Sequence, residues 1–236
     1  VISGVITDSV NGIASAGINN GIAKVGDGKL ALTALNRYSG KTTITAGTLE
    51  VSTVGNIGSG PTGLGNPTTV ASGTSYVGTG HSTDRVVNLT GAGTLDASGT
   101  GPVTFTAATG VTGNFDLTLA GTGTGTVNGL ITATNGKVTK DGSGTWTLAG
   151  ASIHNGDITV NAGTLVMANA GVTINSPVIT VRDLAYLDVL ALTGGLAVGS
   201  GQTLTGGGTV LGSVIVGNGG TVSPGNSAGT MTISGA

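Results

Sequence analysis

The feature that most constrains this chain is an internal repeat. Residues 22–51 align without a gap on residues 138–167, at a constant offset of 116. Lys24 falls on Lys140, Gly26 on Gly142, Gly28 on Gly144, Leu32 on Leu148 and Gly40 on Gly156. Ala46–Leu49 and Ala162–Leu165 both read Ala-Gly-Thr-Leu, and ten of the thirty positions are identical. Self-similarity of this kind marks an array in which each unit buries its apolar face against the next. Within each copy the pattern is strand, turn, strand. In the first, Leu30 and Leu32 alternate with Ala31 and Thr33, Asn36–Gly40 holds turn formers, Thr43–Thr45 alternates again, and Leu49 and Val51 point inward.

The remainder follows the same grammar. Val86–Leu89, Thr94–Asp96, Val103–Thr106, Asp116–Leu119, Val178–Val181, Leu187–Leu190, Thr209–Leu211, Val214–Val216, Thr221–Ser223 and Met231–Ile233 read as short strands. No segment reads as a helix; Arg182–Leu192 is apolar enough, but it alternates better than it spirals. Many short strands fit a sandwich, a barrel or a solenoid. The long repeat, the small β-branched apolar residues and an aromatic content of 3% favour the solenoid, whose narrow core stacks like on like. The expected fold is all-β: a parallel β-helix forming a single domain over residues 1–236, with repeat copies at 22–51 and 138–167. Coils of roughly 20 residues give about 11 rungs, and at roughly 4.8 Å per rung a rod about 50–55 Å long.

Composition narrows the classes further. Charged residues make up 8% of the chain, against about 25% in a typical domain, so hydroxyls, amides and backbone must face the water. Disorder is the wrong reading, because it goes with low hydrophobicity and high net charge, whereas 38% of residues here are hydrophobic and the net charge is −2. The absence of cysteine excludes a disulfide scaffold and a thiolate metal site. No run of 18 apolar residues passes without Gly or a polar residue, so no transmembrane segment is expected. No signal peptide is visible, and Val1 in place of Met suggests a processed chain or a fragment. Eight Lys and Arg against ten acids provide no basic face for nucleic acid.

Chemistry is sparse. His81-Ser82-Thr83-Asp84-Arg85 is the densest polar cluster, but a catalytic triad is assembled from separate elements, so Asp84 is read as pairing with Arg85 or capping a turn. A polysaccharide lyase needs clustered carboxylates for Ca²⁺. Asp183 and Asp188, beside Arg182, are an odd number apart and alternate to opposite faces. No facing carboxylate pair marks a glycosidase. Gly121-Thr-Gly123-Thr-Gly125 lacks the Lys-Ser/Thr and the helix of a phosphate loop. Thr-x-Thr strings such as Thr104–Thr106 and Thr145–Thr147 suggest an ice-binding array, but their spacing in the sequence is uneven. No catalytic residue, cofactor site or metal site is assigned, and the chain reads as a non-enzyme.

The first repeat, Lys24-x-Gly26-x-Gly28-x-Leu30-x-Leu32 followed by Asn36-x-Tyr38-Ser39-Gly40 and Ala46-Gly47-Thr48-Leu49, resembles the autotransporter-associated β-strand repeat, also called the passenger-associated transport repeat. Lys140–Leu148 fits that pattern more closely in its first half; later, Ser152, His154 and Asn155 replace the usual Asn, Tyr and Ser or Thr. Tyr76–Leu89 and the tail from Gly207 to Thr230 resemble segments of large surface proteins that carry this repeat. The resemblance implies export, display at a bacterial cell surface or outside the cell, and a β-helical passenger. Together with the chirality of L-residues it implies a right-handed coil. It implies no catalytic residues.

Two roles follow as expectations. In the first, the chain is a structural module forming a rod or an end-to-end filament. Neither end shows a charged or helical cap, so head-to-tail self-association is expected through Ile2, Val5 and Ile6 at one end and Met231 and Ile233 at the other. In the second, it is an adhesin-type module binding extracellular carbohydrate or a host surface, with Tyr38 and Tyr76 as ligand contacts and Trp146 kept in the core.

Overall fold

In a computed structural model, the described residues are 1–6, 9–10, 13–14, 20–57, 62, 69–71, 73–132, 135–225 and 229–235; among them are strands and turns but no helix. The chain climbs through three faces in turn. The first face is a ten-stranded parallel sheet from Lys29–Leu32 to Thr221–Ser223, and the second an eight-stranded parallel sheet from His81–Thr83 to Thr232–Ser234. The third is thinner. Thr69–Ala71, Val86–Asn88, Thr109–Thr112 and Leu130–Ile131 form four strands, followed by the pairs Ile153–His154 with Thr173–Ile174 and Leu196–Val198 with Val214–Val216.

This is the expected parallel β-solenoid, with a rung count slightly below the expected one. Ten strands on the first face make ten rungs and nine turns, about 43 Å at roughly 4.8 Å per step, close to the about 11 rungs expected. Two causes account for the difference. Steps between aligned residues on that face vary from 18 (Leu204 to Val222) to 25 (Leu49 to Thr74), because corners accept insertions that leave the ladder intact. In addition, Ser9–Val10 and Ile13–Ala14 pair antiparallel with each other instead of adding a rung.

Alternation along each strand sends one side chain in and the next out. Register turns this alternation into columns. Inward on the first face, Leu117, Val138, Ile158, Ile179 and Leu204 stack directly over one another, all buried. Inward on the second, Val103, Gly125, Trp146, Leu165, Leu187 and Val210 do the same. Each fully buried aliphatic side chain contributes about 1.5–3 kcal/mol. The glycine in the second column has a reason. Trp146 is fully buried, stacks on Phe105 with ring centroids 6.4 Å apart and donates from Nε1 to the Ala120 carbonyl at 2.8 Å. A Cβ at Gly125, the register partner one rung away, would sit 2.6 Å from the indole.

The repeat also contains a buried cation. Lys140 Nζ donates to the carbonyls of Asp141 (2.9 Å), Gly142 (2.7 Å) and, one turn on, Ala162 (3.2 Å). Lys24 Nζ does the same to Val25 (3.2 Å), Gly26 (2.6 Å) and Ala46 (3.0 Å). The Lys-x-Gly turn and the Ala-Gly-Thr turn of the next coil are thus tied through one ammonium, which explains why both motifs recur together. Gly142 and Gly163, at φ of 75° and 64°, form the two tied turns in the left-handed region that glycine enters at little cost. Burial lowers the Lys140 pKa to about 8, opposed by the nearby Asp141 carboxylate.

The two copies do not lie on the same faces. Lys29–Leu32 belongs to the ten-stranded sheet, whereas its counterpart Thr145–Leu148 belongs to the eight-stranded sheet. The repeat is therefore a portable piece of wall with its own turn clamp, not a fixed sector of the coil.

Candidate functional site

The outward columns form the accessible surface. On the first face, Thr94, Thr118, Thr139, Thr159, Thr180 and Thr205 stand one above the other in successive rungs. On the second, Thr104, Thr126 and Thr147 form one column and Thr124, Thr145 and Thr164 another beside it. Uneven spacing in the sequence therefore becomes even spacing in space, since corners absorb the length differences. Amide and charge ladders flank these columns. Asn161 Nδ2 donates to Asp141 Oδ1 at 2.7 Å and Arg182 Nε to Asn161 Oδ1 at 2.7 Å. Asn155 Nδ2 bonds Asn135 Oδ1 (3.3 Å) and Asn175 Nδ2 bonds Asn155 Oδ1 (3.1 Å).

A cleft of about 600 Å³ runs along the early rungs of the first face, lined by Lys29, Glu50, Ser75, Thr94, Asp96 and Thr118 among others. Lys29 Nζ meets Glu50 Oε2 at 2.7 Å and Ser75 Oγ donates to Asp96 Oδ1 at 2.9 Å. Its volume falls in the range of ligand sites, and its open lining mixes hydroxyls, carboxylates and Lys29 with the apolar Ile44, Ala46, Val77 and Ala92.

The two tyrosines read as ligand contacts are corrected by burial. Tyr38 is buried, its hydroxyl 2.8 Å from Thr42 Oγ1. Tyr76 is buried, its hydroxyl accepting from the Gly80 amide at 2.8 Å and lying 2.8 Å from His81 Nδ1. Desolvation raises both phenol pKa values. Each phenol satisfies itself inside the coil, so neither ring is offered to a ligand; Tyr186, 41% exposed, is the tyrosine that reaches solvent. Trp146 is in the core, as expected. The His81–Arg85 cluster does not converge on a reaction centre. His81 meets Tyr76, Asp84 Oδ1 accepts from the Ile57 amide at 2.7 Å, and Arg85 is buried with Nη2 3.4 Å from the Asn56 carbonyl. No group of three or more His, Cys, Asp or Glu that could hold a metal ion occurs among the described residues, and no helix among them is long and apolar enough to cross a membrane.

The expected stacking residues fall at opposite ends of the ladder. Ile2 lies beside Leu32, its amide donating to the Ala31 carbonyl at 2.8 Å and its carbonyl accepting from Thr33. Ile6 accepts from the Arg37 amide and its own amide donates to Asn36 Oδ1 at 2.9 Å. Ile2 and Val5 are exposed and Ile6 half-buried. At the other end Ile233 stacks on Val210, continuing the inward column of the second face, yet it is 44% exposed. Val216 over Val198 shows the same loss of cover, and Met231 is half-buried.

The passenger-associated-transport-repeat family matches at residues 22–51 and 138–167. The chain carries two passenger-associated transport repeats. The turn clamps built on Lys24 and Lys140 and the Ala-Gly-Thr-Leu turns lie inside those matched segments. The chain is also 31% identical over 226 residues to the adhesin BmaC autotransporter of Brucella suis biovar 1 (strain 1330), an alignment that covers 91% of this chain and 6% of that protein. The chain thus spans a small fraction of the length of the relative it matches. No solved structure gives a significant match. The transport repeats and this similarity support a role as part of a surface passenger, and imply a bacterial surface or extracellular location.

Proposed function

We propose that the chain is a non-catalytic, rod-forming section of a bacterial surface passenger, in which the solenoid holds its outward hydroxyl columns at a fixed spacing and extends by end-to-end stacking. The observation that supports this most strongly is the continuity of register, with apolar columns inside and, on the first face, a threonine column outside that crosses six successive rungs. The inward column reaches Ile233 still uncovered, so a further rung, of the same polypeptide or of a second copy, fits there by simple continuation of the ladder. Electron microscopy of the purified chain at neutral pH tests the second-copy arm. Filaments with an axial period of about 53 Å, the ten strands and the Ile2 position beyond them at roughly 4.8 Å each, are expected, and Ile233→Lys or Ile2→Lys should reduce them to single rods. Unchanged filaments in both variants, or single rods from the unaltered chain, would rule out stacking through these ends and leave the rod.

Adhesion is the second reading, supported by the adhesin named among the relatives and by the cleft beside Asp96. A glycan array probed with the chain should give signals that Thr94→Lys, which blocks the cleft without touching the core, abolishes. Signals that survive this change place any binding elsewhere.

A further inference from the structure

His154 lies inside the third face, buried, and its Nε2 has no hydrogen-bond partner among the described residues. Comparison of the two repeat copies explains this. The first copy has Tyr38 at the matching position, with its hydroxyl on Thr42. In the second copy both members change: His154 stands for Tyr38, and Ile158, which has no polar side-chain atom, stands for Thr42. A titratable ring has been kept in the core and its partner replaced by hydrocarbon.

We propose that His154 makes the third face an acid-sensitive latch: when the Ile153–His154 strand opens, the imidazole takes up a proton that packing disfavours, so this strand and Thr173–Ile174 loosen in mild acid while the sheets of the other two faces stay laddered. The strand is well suited to open alone. It is two residues long, and its cross-rung backbone bonds include Thr173 N to Ser152 O (2.9 Å) and Asn175 N to His154 O (2.7 Å). The neighbouring third-face strands Leu130–Ile131 and Thr173–Ile174 carry no ionisable side chain. On the other faces of these rungs, the strands 145–148, 158–160 and 164–167 carry none either, and 138–140 carries Lys140, whose ammonium is already held by three carbonyls. Outside, Lys137 pairs with Asp157 at 3.8 Å and Asp141 accepts from Asn161.

Burial lowers the His154 pKa from 6.5 to about 4. The sign follows from linkage. The open ring binds a proton below about 6.5 and the packed ring only near 4, so stability is complete above 6.5 and is lost as pH falls between the two. The opening constant should rise about 30-fold between pH 7.5 and pH 5.

Hydrogen exchange of the intact chain, corrected for intrinsic rates, reads this directly. Amides of 152–154 and 173–175 should lose protection about 30-fold on going to pH 5, while those of 158–160 and 164–167 hold. The double variant His154→Tyr with Ile158→Thr, which rebuilds the first copy's pair, should abolish that difference. Acid loosening that persists in the double variant, or equal loosening on all three faces, overturns the latch. Should that variant not fold, the His154 titration in the unaltered chain, followed by NMR beside His81, decides. A midpoint near 4 supports the proposal and one near 6.5 overturns it.

Discussion

Trp146→Ala is expected to lower the stability of the solenoid by about 3–5 kcal/mol, the usual cost of truncating a buried Trp or Phe. The indole is fully buried, carries a satisfied Nε1 and lies in an inward column between Gly125 and Leu165. Removing it leaves a void against a glycine, which has no side chain to swing in. The reciprocal change, Gly125→Val, forces carbon into the ring, whose atoms lie 2.6 Å from an added Cβ. In combination with Trp146→Ala the valine fills the void, so the two changes should be markedly less destabilising together than their sum. Urea titrations of the four proteins check this coupling, and strict additivity would contradict the stacking of Gly125 on Trp146. Because each rung contacts only its neighbours, hydrogen exchange should place the loss in the rungs around 125–165.

Lys140→Met is the second large effect. Methionine keeps an unbranched stem of similar length and removes the ammonium. Three carbonyls, of Asp141, Gly142 and Ala162, then lose their donor at once. Leaving buried acceptors unpaired costs about 1–3 kcal/mol each where water cannot reach them. Since Asp141 and Gly142 sit at a turn that water can re-enter, the expected loss is about 2–4 kcal/mol in total, read as a lower denaturation midpoint. Lys24→Met should behave alike in the first copy, and the two losses should add, because the clamps lie several rungs apart. Arg at either site should not rescue, since a planar fork does not replace a compact three-way donor. A Lys140→Met protein as stable as the parent would show that the clamp is incidental to the repeat.

The sequence made some parts of this structure legible and hid others for identifiable reasons. Val178–Val181, Thr209–Leu211, Val214–Val216 and Thr221–Ser223 are strands with the expected bounds, because alternation and flanking glycines act locally. Trp146 could be assigned to the core because its counterpart is Leu30, an apolar residue in an alternating run. Tyr38 and Tyr76 misled. A tyrosine satisfied by Thr42, or by Gly80 and His81, has the same letter as one facing a sugar, and only the closure of the coil tells them apart. The threonine columns were hidden for the opposite reason: turn lengths of 18 to 25 on the first face scramble their spacing along the chain while leaving their register intact. The shift of the second copy to another face could not be seen either, since nothing local records how much chain the intervening corners consume. The changes of Tyr38 to His154 and Thr42 to Ile158 were visible one by one, but their joint meaning needed the buried ring.

Successive coils are stacked in parallel register, each side chain over its counterpart roughly 20 residues on. The chain has no cysteine of its own, so paired cysteines report register without background. Thr159 and Thr180 are register partners on the outside of the first face, about 4.8 Å apart, within disulfide reach, whereas Thr159 and Arg182 are two residues out of step and about 8 Å apart, beyond it. Under mild oxidation, Thr159→Cys with Thr180→Cys should close an intramolecular disulfide and Thr159→Cys with Arg182→Cys should remain reduced. Equal closure of both pairs, or preferential closure of the second, would contradict the stacked register on which the rod, its columns and its proposed role all depend.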